Sequence, residues 1–545
     1  MSNKQDGVTT TASQAIRQDG LGQAQPPHAP SPDHTPTEAS RSIHPDEAVP
    51  AHWGRYLVAP RPFGEGITSE ILQDLITFLE EDTDGLILDH IDLPSRTGGE
   101  SHRRCPPIVV VAMPDSRAQA LASNPRLIVE RDQPLLHTDV PMPAALGIVE
   151  PAHAPFLADC GEINVHVVGP NAVPVEEAHI WAVGTTGTTH AVTGRDGRAQ
   201  LKLSADLPAT IRTLHVRPAQ GYWPARIDRP FQTGTGGETT ISLLSLVDTF
   251  RGFPDEPLTG WGIQAMRLDR LPASHRGSGA RVALLDAGVS TSHPDLKDIV
   301  TKGRDFTTAP ERDTWRIDAT GRGTWCAGII AAADNGTGIT GIAPEAEIHA
   351  LKLFPKGRVS DLLRALDHCT TERIDIAQIN ITYQMPSQLV SWKILDLATA
   401  GTVTIAPAGD TPVTLFHTAA LPGVLSVGAL TRSDQGLRPA PYSPIATDLH
   451  APGTDLITTG HLGGYTAASG TALAAAHITS LAALLLTGHR QLRSHINCGT
   501  RVHHLHTLLL TASRPRHPQH TYRLPDAYTA FTDYPTEPVS RAPGY

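Results

Sequence analysis

Gly470-Thr471-Ala472-Leu473-Ala474-Ala475-Ala476-His477 opens an apolar run that continues through Leu481 to Leu486. A glycine followed by such a run reads as the start of a helix that packs in a core. Its counterpart upstream is Val282-Ala283-Leu284-Leu285-Asp286, a short apolar run of the kind a parallel strand buried on both faces requires. Together the two segments point to an α/β domain.

The surrounding chain has 545 residues, enough for several domains and at least one large core. Its formal net charge is −11 and 18% of its residues are charged, which argues against a nucleic-acid surface and favours an ordinary soluble protein. The 27 histidines are scattered without metal-ligand spacing, and the five cysteines (Cys105, Cys160, Cys326, Cys369, Cys498) form no CxxC or Cys/His cluster. Neither a zinc site nor a disulfide framework is expected. No Sec signal is visible at the start and no stretch is read as reaching the roughly 18 apolar residues of a membrane span. The expectation is a cytoplasmic protein with no membrane partner.

Residues 1–52 are rich in Gln, Ser, Thr, Pro, Asp and His, too polar to offset the entropy of ordering, and read as a disordered tail or a docking tail. Residues 53–137 read strand, helix, strand, strand, helix, strand: strands at 55–59, 85–88, 108–112 and 126–130, helices at 68–80 and 115–123. Residues 158–248 carry short alternating or β-branched runs at 162–168, 178–184, 198–203 and 211–216, with a hairpin turn at Arg195-Asp196-Gly197-Arg198. This spacing predicts a small β-sandwich, carboxypeptidase regulatory-like or Ig-like, acting as a spacer or as a partner-binding module. Residues 249–533 hold the α/β domain, and 534–545 a flexible tail.

The α/β domain resembles the subtilisin-like serine proteases (subtilases), with their doubly wound parallel sheet. Gly470 to His477 matches the family's G-T-S-M-A-x-P-H with alanine in the serine's place. Asp286-Ala287-Gly288-Val289, with His293-Pro294-Asp295-Leu296, resembles the block whose first Asp orients the catalytic histidine; the resemblance gives that role to Asp286 and leaves His293 structural. Gly321-Arg322-Gly323-Thr324 stands where the family has G-H-G-T, so Arg322 occupies the place of the general base. A guanidinium has no lone pair to accept a proton, but it can pair with Asp286. Ala408-Gly409-Asp410 replaces A-G-N, putting a carboxylate where the family has its oxyanion donor. Asn380, Thr382 and Gln384 fall on the strand that binds substrate in the family, Gln384 in place of a glycine. Val427-Gly428-Ala429 and Ala451-Pro452-Gly453 fix the register of Ala472.

No cofactor is expected. Asp295 and Asn335 are weak candidates for a calcium site, by resemblance to the family's calcium loop. The closing run Asn124-Pro125-Arg126-Leu127-Ile128-Val129-Glu130-Arg131-Asp132 resembles the end of the subtilase propeptide domain, a βαββαβ ferredoxin-like unit that lays its last strand into the cleft. The resemblance therefore implies a pseudoprotease that binds or scaffolds a peptide or protein partner, with its propeptide-like domain still attached. The alternatives are a subtilisin-type endopeptidase with atypical or conditional activity, and a partner of an active protease.

Overall fold

The computed structural model describes residues 50, 52–61, 69–81, 84–91, 104–137, 161–203, 206–231, 238–308, 313–489, 491–492, 499–513 and 522–532. Apart from residues 50 and 52, the tails expected at 1–52 and 534–545 lie outside these.

Strands β1 (Gly54–Pro60), β2 (Leu86–Ile91), β3 (Ile108–Met113) and β4 (Leu127–Arg131) form an antiparallel sheet in the order β2-β3-β1-β4, crossed by α1 (Ser69–Glu81) and α2 (Asp115–Ala122). Side chains alternate across a strand, so β1 and β3 each bury two faces. Tyr56, Val58, Val109 and Val111 meet Leu75, Leu79, Ala118 and Leu121 of the two helices. Leu57, Ala59, Ile108 and Val110 turn the other way and join a cluster with Leu362, Leu366, Leu389 and Val390 of the α/β domain. A two-residue strand, β5 (Leu136–His137), follows.

In sequence, a pair of stacked sheets comes between the two. One has the order β11 (Ala225–Asp228), β10 (Thr213–Arg217), β7 (His179–Val183), β8 (Thr188–Val192); the other has β12 (Thr239–Ser242), β6 (Glu162–Val168), β9 (Arg198–Lys202). Ile163, Val165, Ile180, Leu201 and Leu214 fill the space between them. The turn at Arg195–Arg198 is hydrogen-bonded, but it joins β8 of one sheet to β9 of the other, so the expected hairpin is a corner. The short helices α3 (Leu246–Thr249) and α4 (Trp261–Ala265) lead into the α/β domain.

There β13 (Arg281–Asp286), β14 (Lys302–Asp305), β15 (Glu347–Lys352), β16 (Ile376–Ile379), β18 (Val403–Pro407) and β19 (Val424–Ser433) make a parallel sheet in the order β14-β15-β13-β16-β18-β19. The antiparallel β20 (Gly436–Pro439) and parallel β21 (Leu449–Pro452) extend it at β19. β17 (Ile381–Thr382) continues from β16, and β22 (Leu456–Thr459) pairs with β23 (Tyr465–Ala468) in a hairpin. α5 (Arg322–Ala331) and α8 (Thr471–Gly488) share one cluster with the sheet; α6 (Val359–Thr371) and α7 (Gln388–Ala400) share the other. α8 corrects one expectation: its 18 residues are long and apolar enough to cross a membrane, yet 89% of that window is buried inside the fold.

Candidate functional site

The central strand β13 ends in Asp286, and the next residues turn sharply because Gly288 adopts φ +103° with its α-carbon against the Ile317 carbonyl, where a Cβ would sit 2.4 Å away. Asp286 is 1% exposed. It accepts from the Ala287 amide at 2.6 Å and from Asn380 Nδ2 at 2.7 Å. Its third neighbour is His137 of β5, whose Nε2 lies 2.8 Å from Asp286 Oδ1, with only 2% of the imidazole side chain exposed. That contact spans 149 positions of sequence.

His137 arrives there because β5 adds to β17 as an antiparallel strand, Leu136 opposite Thr382 and His137 opposite Ile381. The preceding residues fasten it. The Leu135 amide donates to the Gly357 carbonyl at 2.7 Å, and Gln133 bonds the Met385 main chain through both ends of its amide. Glu130 accepts from Ser387 Oγ and the Gln388 and Leu389 amides, closing the start of α7. Burial raises its carboxyl above the usual range, against the pull of those donors. Asp132 accepts from the amide and hydroxyl of Ser360 in the first turn of α6.

Arg322 opens α5 and is 5% exposed. The turn before it is held by Asp318, which accepts from the Thr320, Gly321 and Thr324 amides. Burial first, and then the nearby Asp286, raise the Asp318 carboxyl. Arg322 Nη1 lies 3.8 Å from Asp410 Oδ2, and His137 stands on Asp286. Asp410 Oδ1 also accepts from the amide and hydroxyl of Thr471, at 2.8 and 2.9 Å, in the first turn of α8. A carboxylate belongs at that positive helix end, and a cation beside it balances the remaining charge. The two residues that break the protease pattern thus answer each other.

Ala472 is fully buried; its carbonyl accepts from Gln378 Nε2 at 3.1 Å and from Cys326 Sγ at 3.5 Å. Cys326 also meets Asn380 Nδ2, which ties the start of α8 to Asp286. Burial and then Asp286 hold the Cys326 thiol well above its ordinary value, so it stays protonated. The neighbouring hydroxyls are engaged: Thr471 donates to Asp410, and Ser469 Oγ accepts from the Asp455 amide at 2.9 Å.

Of the three residues expected to bind substrate, only Thr382 lies in the pairing strand, and its partner is this chain's own Leu136. Asn380 is buried and orients Asp286 instead, which corrects its assignment. Gln384 is exposed, and its carbonyl meets His417 Nε2 at 2.7 Å while the His417 ring stacks on Tyr383. The calcium candidates also differ from expectation. Asn335 turns its Nδ2 onto Asp295 Oδ1 at 2.9 Å, and Tyr465 donates to Oδ2 at 2.8 Å. Both oxygens of Asp295 are taken by protein donors, so this pair does not fit an ion.

Asp286 thus ends a central parallel strand beside the first turns of the buried helices α5 and α8. The subtilase-family (peptidase S8) model matches residues 277–530. Subtilisin DY of Bacillus licheniformis is 31% identical over 240 residues, 42% of this chain and 84% of that protein. An intracellular serine protease of Paenibacillus polymyxa is 30% identical over 236 residues, 41% of this chain and 72% of that protein. A solved structure titled S41 psychrophilic protease aligns with 28% identity and a TM-score of 0.41, covering 47% of this chain and 90% of that one. The chain belongs to the subtilase family.

The sequence reading missed His137. A signal was present: a histidine closes a segment that resembles one ending in the protease cleft.

Proposed function

We propose that this protein is a catalytically inactive subtilase, a pseudoprotease that keeps its propeptide-like domain and acts by binding or scaffolding a peptide or protein partner. The observation that carries the reading is the fate of Asp286. The one retained triad residue supports no base at position 322; it holds a histidine delivered by β5. Position 472 has no hydroxyl to form an acyl intermediate, Arg322 has no lone pair to take its proton, and Asp410 offers an anion where a donor would be needed.

In subtilisin, which is the worked case behind these figures, loss of nucleophile or base costs on the order of 10⁶ in kcat and loss of the oxyanion donor about 10²–10³. With all three replaced, no useful peptidase rate remains. The 53–137 domain supports the same reading. Its βαββαβ order, its helix-capping Glu130 and Asp132 and its last strand in the cleft fit a propeptide that is never released. A cytoplasmic setting belongs to the proposal, in keeping with the free thiols at Cys326 and Cys369.

Labelling with a fluorophosphonate probe tests it, with an active subtilisin alongside. The purified chain is expected to stay unlabelled, as is Ala472→Ser, because Arg322 cannot activate the new hydroxyl. A stable, stoichiometric adduct on the unaltered chain would overturn the proposal. A pull-down with the full chain, read by mass spectrometry, identifies the partner.

A further inference from the structure

The face of the β7–β8 pair turned away from the inter-sheet core, where Arg217 also covers the Trp325 ring of α5, carries a feature that the protease frame does not use. His179 lies opposite Val192 and Trp181 opposite His190, so the two histidines are diagonal neighbours on one face. His179 Nδ1 is 3.0 Å from His190 Nε2, and both rings pack on Trp181, with centroid separations of 5.6 and 4.9 Å. His190 is exposed and His179 half-buried, so solvent reaches the pair.

We propose that His179 and His190 form a two-nitrogen chelate for a borderline divalent cation, with Cu(II) the preferred occupant. The 3.0 Å between the two nitrogens is a hydrogen bond in the resting pair, which places both rings within reach of one ion; the preference for Cu(II) follows from its place at the top of the affinity order of divalent metals for imidazole. In the resting pair the N–H of one ring donates a hydrogen bond to the other and keeps its proton. Moving that proton to the far nitrogen of the donor ring frees two lone pairs on the same side without releasing a proton.

Arg217 stands opposite His179 on β10, with its guanidinium 5.2 Å from the centre of the Trp181 ring, and repels a bound cation. That penalty is met best by the metal with the highest imidazole affinity, which again is Cu(II). Among the described residues no third His, Cys, Asp or Glu joins the cluster, so solvent completes the coordination.

Titration of the full chain with copper(II) sulfate tests the site, with tryptophan quenching and calorimetry as readouts. The tightest step is expected at one equivalent, quenching the fluorescence of Trp181. His179→Gln and His190→Gln should each weaken that step at least about tenfold. The double variant should abolish it, and His503→Ala should leave it intact. Circular dichroism on each variant separates loss of ligand from loss of fold. Both single variants titrating like the unaltered chain, or Zn(II) binding as tightly as Cu(II), would overturn the assignment.

Discussion

Replacing His137 with alanine probes the contact on which the functional reading rests. The imidazole is 2% exposed and bonds a carboxylate that is 1% exposed, so solvent cannot take its place at once. Leaving a buried acceptor short of a partner costs about 1–3 kcal/mol, and breaking a buried ion pair about 3–5 kcal/mol. Asp286 keeps the Ala287 amide and Asn380 Nδ2, which argues for the smaller figure, while the vacated ring leaves a void that adds to it. The expected loss is about 2–3 kcal/mol, read as a lower urea midpoint for unfolding of the full chain. A double-mutant cycle with Asp286→Asn isolates the pair and should give a coupling of about 1–2 kcal/mol. A His137→Ala chain within about 0.5 kcal/mol of the original, or strictly additive effects in the cycle, refutes the contact's energetic role.

Arg322→Met is expected to cost about 2–4 kcal/mol, toward the low end for a buried pair because the 3.8 Å contact lacks a hydrogen bond. Adding Asp410→Leu should restore little of the loss, because it also takes the acceptor from the buried Thr471 amide and hydroxyl, and thermal melts of the single and double variants check both. Glu130→Ala removes the cap that the N-terminal domain gives to α7, costing about 1–2 kcal/mol. Limited proteolysis should then cut residues 130–137 faster than in the unaltered chain. The buried His477, His450 and His215 are held at about 4 by desolvation, against an ordinary value of about 6.5. Their folded-state pKa values are depressed, so the unfolded chain binds more protons in that window. Stability is then full above pH ~6.5 and falls as pH drops toward ~4, which urea midpoints across that range check.

The α/β domain was readable because its landmarks are local. Glycine-bounded apolar runs such as 282–286 and 470–486 name a strand and a helix by themselves. Asp286 and Ala472 were placed by those runs, Arg322 and Asp410 by the resemblance of 321–324 and 408–410 to the family's G-H-G-T and A-G-N blocks. What they touch was not readable, since the 3.8 Å approach of Arg322 to Asp410 joins residues 88 positions apart. His137 was missed for the same reason, as its partner lies 149 residues on. In the double-sheet domain, β8, β11 and β12 escaped because they are short and mostly half-buried or exposed, which gives weak alternation. The turn at Arg195–Arg198 carries ordinary hairpin residues; which sheet the next strand joins is decided by the core it fills, not by the turn.

The strand that ends in His137 is covalently part of the protein whose groove it fills. A tethered ligand of this kind works at an effective concentration in the millimolar range, whatever the concentration of the protein itself. Any free peptide seeking the same groove must outcompete that standing occupant, so micromolar intrinsic affinity would leave most molecules closed. Ligands that also grip a second surface gain their own tether and escape this handicap. On the proposed reading, bivalent partners hold the advantage over short linear ones, and dilution does not open the groove.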